Sequence, residues 1–183
     1  KQWRENPVFD EAEMEKMVSA GVDKLMSMQN NDGGWGWFSG YGEYSYPHTT
    51  AVVVHGLLVA KANGAKIPER MLNSGIGWLM AHERKEVAAL QLHVERAAIR
   101  KAGGKVKEDS RYEKSATDAT DAFVRMILGE AGRDSEPMLA FLYRDRVGLP
   151  VYAKCLVGLE QHRKGDETRR DELMKMVSQY LKR

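Results

Sequence analysis

A turn-rich and aromatic-rich segment, Met28–Gly40, lies between two strong helical patterns and limits how this chain can fold. Its glycines surround two tryptophans, and glycine lets a backbone turn tightly enough to bring large rings against helix ends. No run of ionisable groups accompanies the rings, so we predict a structural clasp, with a binding surface as the alternative. The residues assigned to the clasp are Gln29, Gly33, Gly34, Trp35, Trp37 and Phe38.

Length and composition restrict the class of protein. The 183 residues are typical of one domain, and a hydrophobic content of 43% is enough for a substantial core. Charged residues make up 30%, and the longest apolar run, Thr49–Ala62, is too short to cross a bilayer, which argues against a membrane-spanning protein. The net charge of +2 provides no general attraction to nucleic acid, so we predict no nucleic-acid partner.

The chain has features of a piece of a longer polypeptide. It begins at Lys1 with neither an initiating methionine nor a signal peptide. Its single cysteine, Cys155, excludes an internal disulfide framework but leaves the compartment open. We therefore expect a longer parent protein, and we expect any localisation signal to lie outside these residues.

Helical periodicity extends over most of the chain, and the spacing of apolar residues predicts about eight helices and no strand. The predicted segments are 10–29, 49–63, 67–80, 83–101, 108–129, a short helix after Ser135, 151–162 and 167–181. The segments 49–63 and 151–162 are mostly apolar, whereas 10–29 and 167–181 are more amphipathic. This contrast predicts inner helices covered on both sides and outer helices covered on one, as in α/α solenoids and closed toroids.

The histidines do not form a recognisable metal motif. The chain contains five, and none has a third ligand spaced for zinc, so we predict no metal ligand and no cofactor. His48 and His55 lie seven residues apart and could share one face of a helix, which makes them a speculative polar site. For His55, a core histidine with a satisfied ring is favoured over a general base.

Candidate catalytic residues are few. Asp118 and Asp121 lie three apart on one predicted helix face, where they suit acid–base chemistry or, as we favour, salt bridges. Asp32 and Glu43 could line a sugar-binding or catalytic mouth, although turn formation and helix capping explain them equally well. Cys155 lies in an apolar run and is predicted to be a buried small residue. The sequence has no nucleophile elbow, phosphate loop or dinucleotide fingerprint, so we predict no catalytic residue.

The clasp and the helix after it carry a resemblance to a known family. Gly33–Gly40, followed by Tyr46–Leu57, resembles the thioester-domain region of bacterial alpha-macroglobulins, and Gly77–Leu79 is similar to the helix that follows there. The run from Gln29 to Trp35 also looks like the glutamine–tryptophan motif of terpene cyclases, which share the α/α-toroid fold. The resemblance covers residues 29–79, and beyond them only the helical texture agrees.

The resemblance implies a single all-α domain over residues 1–183, an α/α toroid of the terpenoid cyclase and protein prenyltransferase type. The chain would be the C-terminal part of a thioester-type domain. The resemblance does not decide whether it contains the complete toroid. The parent would be a bacterial endopeptidase inhibitor that traps proteases by changing shape after a bait region is cut. Its expected location is the periplasm, the cell envelope or the exterior, with a membrane anchor left open, and its expected partners are target proteases and its own other domains.

The reactive group of that family is not carried over to this chain. The Cys-x-Glu-Gln motif that forms the thioester in the family is missing here, so we predict that this chain is not itself an enzyme. The alternative is an α/α-toroid enzyme acting on an isoprenoid or a polysaccharide. Asp118 and Asp121 do not reproduce the Asp-x-Asp-Asp motif of a protonating cyclase, however. A plain helical interaction module is the third possibility.

Overall fold

The computed structural model describes residues 10–38, 43–106 and 109–180, and these ranges contain seven helices and no strand. The helices are α1 (Glu11–Ser27), α2 (Pro47–Ala62), α3 (Glu69–Lys101), α4 (Ala119–Glu130), α5 (Glu136–Arg144), α6 (Val151–Arg163) and α7 (Glu167–Ser178). The all-α prediction is confirmed. The chain divides into two compact units, Lys1–Leu79 and Met80–Arg183, and the single domain over residues 1–183 stays a prediction.

Helix α1 begins where the capping signal at Asp10 predicts it, whereas α2 begins at Pro47, two residues before its predicted start at residue 49. Asp10 caps α1 by accepting a hydrogen bond from the Glu13 backbone N–H at 3.2 Å, and two acidic residues lie in the first turn, where the helix dipole favours them. Pro47 opens α2 at a position where its missing N–H has no helical partner to lose. Gly64 follows the end of α2 with a positive φ of 89°, as expected after a helix stop.

The apolar helix α2 is buried along one side only, which differs from the prediction of an inner helix covered on both sides. Its buried residues are Thr50, Ala51, Val54 and Leu57. Val52 and Val59, elsewhere on the helix, are exposed. A nearly uniform apolar composition gives no information about which side is covered, so the sequence alone could not indicate this asymmetry.

The core of the first unit forms around Trp35. Its apolar members are Val22, Trp35, Ala51, Val54, Leu57, Ile67, Met71, Leu72, Ile76 and Leu79. Gly75 of α3 lets the Trp35 ring approach, because a Cβ at this position would lie 2.7 Å from Trp35 Cζ3 and 2.8 Å from Val54 Cγ2. The tryptophan of the clasp is therefore a core residue of this unit.

Helix α3 is one continuous helix of 33 residues, whereas the sequence analysis predicted two helices, 67–80 and 83–101. The two residues between the predicted segments are Ala81 and His82, and neither is a helix breaker. The apolar pattern is interrupted after them because the next buried positions of α3, Glu83 and Glu86, carry charges. Without glycine or proline at positions 81 and 82, however, the helix continues. The predicted break was wrong for this reason.

The predicted helix 108–129 is also wrong in its first half. Helix α4 begins at Ala119, and residues 109–118 are not helical. Asp118 and Asp121 form a capping box that satisfies backbone N–H groups at this end and so fixes the start of the helix. The segment before it is held against α3 instead, where the Lys114 backbone N–H donates to the Ala89 carbonyl at 3.3 Å.

The core of the second unit is centred on α4, which is buried from Asp121 to Gly129. Helix α6 packs against α4 and against α7, and Leu173 is the buried residue of α7. Helix α7 ends at Ser178, and the predicted end at Leu181 lies outside the described residues. Among the helices of the described ranges, none is both long enough and apolar enough to cross a membrane.

Candidate functional site

Trp35 anchors residues 28–38 and 43–46, the described part of the connection between α1 and α2, which we call the clasp loop. Its side chain is 2% exposed, and its indole Nε1–H donates to the Leu25 carbonyl at 2.8 Å, at the last turns of α1. Its backbone N–H donates to the Thr50 Oγ1 at 3.0 Å, in the first turn of α2. One residue thus joins the end of α1 to the start of α2.

Asp32 is the polar centre of the clasp loop. Its Oδ1 accepts from the Gly34 backbone N–H at 3.1 Å and from the Ser45 hydroxyl at 2.6 Å. Its Oδ2 accepts from the Trp78 Nε1–H at 2.9 Å, which connects the loop to α3. Burial alone would raise the pKa of Asp32, but these hydrogen bonds to the ionised form outweigh it and lower the pKa below its ordinary value.

Gln29 and Gly33 complete the base of the clasp loop. The Gln29 Nε2 donates to the carbonyls of Gly33 at 2.8 Å and of Met71 at 3.0 Å. Gly33 has a positive φ of 93°, and a Cβ there would lie 2.8 Å from the Ser74 carbonyl oxygen. These close approaches require glycine for both conformational and steric reasons.

The outer part of the clasp loop differs from the inner part, because its aromatic side chains face solvent. We name Trp37, Phe38, Tyr44 and Tyr46 the aromatic rim; they are 66%, 74%, 77% and 41% exposed, respectively. The sequence analysis expected the rings of both tryptophans to lie against helix ends. Trp35 does so at Leu25 of α1, and the expectation was wrong for Trp37, which is largely exposed. Ser39 and Gly40, part of the predicted segment, lie outside the described residues.

Two backbone hydrogen bonds hold Trp37 and Tyr46 of the aromatic rim. The Trp37 backbone N–H donates to Glu43 Oε1 at 3.0 Å, and the Tyr46 backbone N–H donates to the Trp35 carbonyl at 3.0 Å. The rings of Trp37 and Tyr46 are tilted against each other with centroids 6.4 Å apart. Glu43 and Asp32 thus stabilise the fold of the loop. The sequence alone could not distinguish this structural role from lining a sugar-binding or catalytic mouth.

The speculative histidine pair lies on α2, with His48 exposed and His55 half-buried. Each has interactions within the chain. No group of three metal-binding side chains is arranged to hold an ion in the ranges that the structure describes. A functional role for His48 and His55 stays a prediction.

Asp118 and Asp121 are engaged in structural contacts, which confirms the salt-bridge interpretation. Lys114 Nζ lies 2.9 Å from Asp118 Oδ2 and 2.7 Å from Asp121 Oδ2, and it also contacts Glu86 Oε2 at 2.9 Å. Burial raises the pKa of Asp121, because Lys114 only partly offsets the loss of water. The pair is therefore a helix cap with a shared lysine, and it does not supply the acid–base pair that the enzyme alternative requires.

A buried ion network in the second unit was not found by sequence analysis. Arg125 Nη1 contacts both carboxylate oxygens of Glu83, at 2.9 and 3.0 Å, and Arg125 Nε lies 3.7 Å from Glu160 Oε2. Burial raises the pKa of Glu83, while Arg125 acts in the opposite direction. The available signal was an arginine inside the apolar run Phe123–Leu128, where a charge needs a partner.

Cys155 is half-buried on α6, whereas the sequence analysis predicted a buried small residue. Glu160 and Gln161, which follow on the same helix, are both buried. Cys155 and Gln161 are separated by more than one helical turn, so α6 does not bring this thiol and this amide together as a thioester would require.

Comparison with known proteins agrees with the family resemblance. The chain is 41% identical over 69 residues to a protein named Alpha-2-macroglobulin from Thermotoga maritima, a match that covers 38% of this chain and 4% of that protein. This similarity confirms the resemblance to a bacterial alpha-macroglobulin. The chain therefore spans only a small part of the alpha-macroglobulin that it matches. No protein-family model matches the chain.

A solved alpha-macroglobulin supports the fold class. The structure of native alpha-2-macroglobulin from Escherichia coli, spanning domain MG7 to the C-terminus, superposes with a TM-score of 0.65 at 19% identity. The match covers 92% of this chain and 24% of the E. coli chain. At this identity the likeness establishes the fold, and it confirms the predicted all-α, toroid-like class.

Proposed function

We propose that this chain is a helical domain of a larger alpha-macroglobulin-like protein that inhibits endopeptidases by conformational trapping. The observation that carries the proposal is the 41% identity over 69 residues to the Thermotoga alpha-2-macroglobulin. Cleavage of a bait segment elsewhere in the parent protein would change its shape and enclose the protease. The proposed location is the periplasm, the cell envelope or the exterior, and the proposed partners are proteases and the parent's other domains.

In this proposal the chain is not an enzyme and contributes structure. The clasp loop connects α1, α2 and α3 through Trp35, Asp32 and Gln29, so it gives the first unit a fixed surface. The carboxylates of Asp118 and Asp121 are committed to Lys114 and to the start of α4. A thioester, if the parent protein carries one, would come from outside these residues.

The test is an inhibition assay on the full-length protein that contains this sequence. Trypsin is incubated with the protein, and its activity is then measured on casein and on a small chromogenic peptide. Trapping predicts that casein hydrolysis falls while peptide hydrolysis persists, because an enclosed protease excludes only large substrates. Trypsin with a chemically blocked active-site serine is the control, and it should not be captured, since it cannot cut the bait.

Two results would contradict the proposal. Equal loss of activity on both substrates would indicate a conventional active-site inhibitor. Unchanged activity on both substrates, for trypsin and for proteases of other cleavage specificities, would argue that the protein traps no protease.

A further inference from the structure

The connection between α3 and α4 has two properties that an endopeptidase requires of its substrate. It lies outside the helices, at residues 102–106 and 109–118 of the described chain, and it carries lysine near its start. Lys101 is the last residue of α3, Lys105 follows four positions later, and both are exposed together with the three residues between them. Exposed loops of small and polar residues are preferred sites of proteolytic cleavage in folded proteins.

Few backbone hydrogen bonds tie this connection to the rest of the chain. The turn after α3 closes where the Gly104 N–H donates to the Ile99 carbonyl at 2.9 Å. Beyond it, residues 105–106 and 109–113 form no backbone–backbone hydrogen bond with any other residue that the structure describes. A protease binds its substrate in an extended conformation, and helices resist this because their hydrogen bonds must first break. Few such bonds would have to break here.

The other connections within the described ranges lack this combination. The clasp loop contains neither lysine nor arginine in its described residues. In the connection between α2 and α3, Lys66 is followed by the buried Ile67, which fixes the chain there. The turns between the later helices are all shorter: residues 131–135, 145–150 and 164–166. A short turn cannot extend into a protease cleft unless the helices beside it unwind.

A cluster of ion pairs limits the accessible segment on its C-terminal side. Arg96 of α3 contacts Asp109 Oδ1 through Nη2 at 2.7 Å and Glu113 Oε2 through Nη1 at 2.6 Å. The Arg96 side chain is 9% exposed, and charge-assisted pairs of this kind are stronger than neutral hydrogen bonds. The contacts of Lys114 described above continue the attachment. Residues 109–114 are therefore held on α3, where a protease cannot extend them.

We propose that the turn after α3 is a cleavage site for endopeptidases that cut after lysine, at Lys101 or Lys105, and that Arg96 protects residues 109–114 from the same enzymes. Cleavage hydrolyses one peptide bond: one water is consumed, and a new carboxylate and a new amino group form. The protease supplies the catalytic groups, so this chain acts as the substrate. The inference is independent of the proposed trapping, in which the bait segment lies elsewhere in the parent protein.

The cut chain should remain assembled, because buried contacts join residues on opposite sides of the cut. Arg125 of α4 contacts Glu83 of α3 at 2.9 Å, and both side chains are buried. Arg96 and Glu113 form a second such contact. Hydrolysis of one bond in an exposed turn leaves these contacts in place. The expected product is thus a nicked chain that keeps its fold.

Limited digestion of the full-length protein with endoproteinase Lys-C tests the cleavage site. The protease is added in molar excess, so that capture of part of it leaves free enzyme, and new N-termini are identified over time by mass spectrometry. Within residues 10–180, the first cut should fall after Lys101 or Lys105. A first cut elsewhere in this range, or no cut until the protein is unfolded by urea, overturns the inference.

A pair of lysine variants checks that the turn itself is responsible. The double variant Lys101→Gln with Lys105→Gln should lose the early cut, so that cleavage within residues 10–180 becomes several times slower. Lys66→Gln, on the connection between α2 and α3, is the matched control and should leave the early cut unchanged. An equally fast cut in the double variant would overturn the inference.

Arg96→Met tests the protection of the downstream segment. In the unaltered protein, cleavage after Lys114 should be several times slower than cleavage after Lys105. Arg96→Met should accelerate the cut after Lys114 several-fold. Arg111→Met is the matched control, because Arg111 pairs with the same Asp109 at 2.8 Å but does not attach the segment to α3. Equal rates after Lys114 in the two variants would show that Arg96 gives no protection.

A second variant keeps this test decisive if Arg96→Met lowers the stability of the protein. Glu113→Gln removes the charge of one Arg96 partner, and that partner is partly exposed, with 23% of its side chain accessible. Urea titrations of the uncut proteins compare their stabilities. Faster cleavage after Lys114 in Glu113→Gln, with an unchanged urea midpoint, supports the protection, and an unchanged cleavage rate overturns it.

The nicked protein is finally examined by size-exclusion chromatography without denaturant. The two fragments should elute together at the volume of the uncut protein, and they should separate on a denaturing gel. Fragments that separate without denaturant would overturn the inferred assembly of the cut chain. The trypsin inhibition assay is scored separately, because loss of trapping would reject the proposed function and leave this cleavage site unaffected.

Discussion

Replacing Trp35 by alanine should destabilise the protein far more than replacing Trp37, two positions away in the same loop. Truncating a fully buried tryptophan costs about 3–5 kcal/mol in transfer and cavity terms. Losing the hydrogen bond from Nε1 to the Leu25 carbonyl adds about 1 kcal/mol. Because Trp37 is largely exposed, Trp37→Ala should change the free energy of unfolding by no more than about 0.5 kcal/mol.

The measurement is guanidinium-induced unfolding followed by circular dichroism, with thermal melts in parallel. A loss of about 4–6 kcal/mol for Trp35→Ala corresponds to a fall in Tm of roughly 8–24 °C for a chain of this size. Trp35→Phe keeps much of the packing but removes the N–H donor, so it should fall between the two alanine variants. Equal effects for Trp35→Ala and Trp37→Ala, or a loss below about 1 kcal/mol for Trp35→Ala, would refute the assignment of Trp35 as the anchor.

Four further outcomes are expected. Arg125→Met should lower the free energy of unfolding by about 3–5 kcal/mol, since it leaves the buried Glu83 carboxylate without its cation, and adding Glu83→Gln should restore part of the loss in urea titrations. The lowered pKa of Asp32 means that its stabilisation is present above the unfolded-state value of about 3.9 and is lost as pH falls through the lower folded value, so Asp32→Asn should reduce the stability change across that window. Asp118→Ala should cost about 1 kcal/mol through loss of the helix cap, visible as faster amide exchange in the first turn of α4. Methylamine treatment followed by mass spectrometry should leave every glutamine within residues 1–183 unmodified, and an adduct on any of them would show that a thioester lies within this chain.

The structural features that could be predicted from the sequence are those determined by residues close to one another in the chain. Asp10 and the acids after it fix the start of α1 locally, and Pro47 does the same for α2. The clasp could be predicted because several glycines close to two tryptophans indicate a tight turn with large rings packed nearby. Helix caps and proline act on backbone groups within a few positions, so their effect can be predicted without knowledge of the tertiary fold.

The features that the sequence missed depend on partners far away in the chain. Residues 109–118 have a composition compatible with helix, yet Arg96 pairs with Asp109 and Glu113 and holds the segment in another conformation. The Arg125–Glu83 pair joins residues 42 positions apart, a distance over which local spacing carries no information. Trp35 and Trp37 likewise have the same local surroundings, and only the packed helices decide which ring is buried.

Gly75, Trp35 and Val54 pack so closely that a substitution at one of these positions limits which residues fit at the other two. A methyl group at position 75 would overlap both Trp35 and Val54, so Gly75→Ala should be tolerated only when the other two side chains become smaller. Among relatives of this chain, we therefore expect volume to be exchanged between positions 35, 54 and 75, with a larger residue at 75 appearing beside a smaller ring at 35 and a smaller residue at 54. Engineers who alter the clasp loop would have to redesign a position on α3 that lies forty residues away.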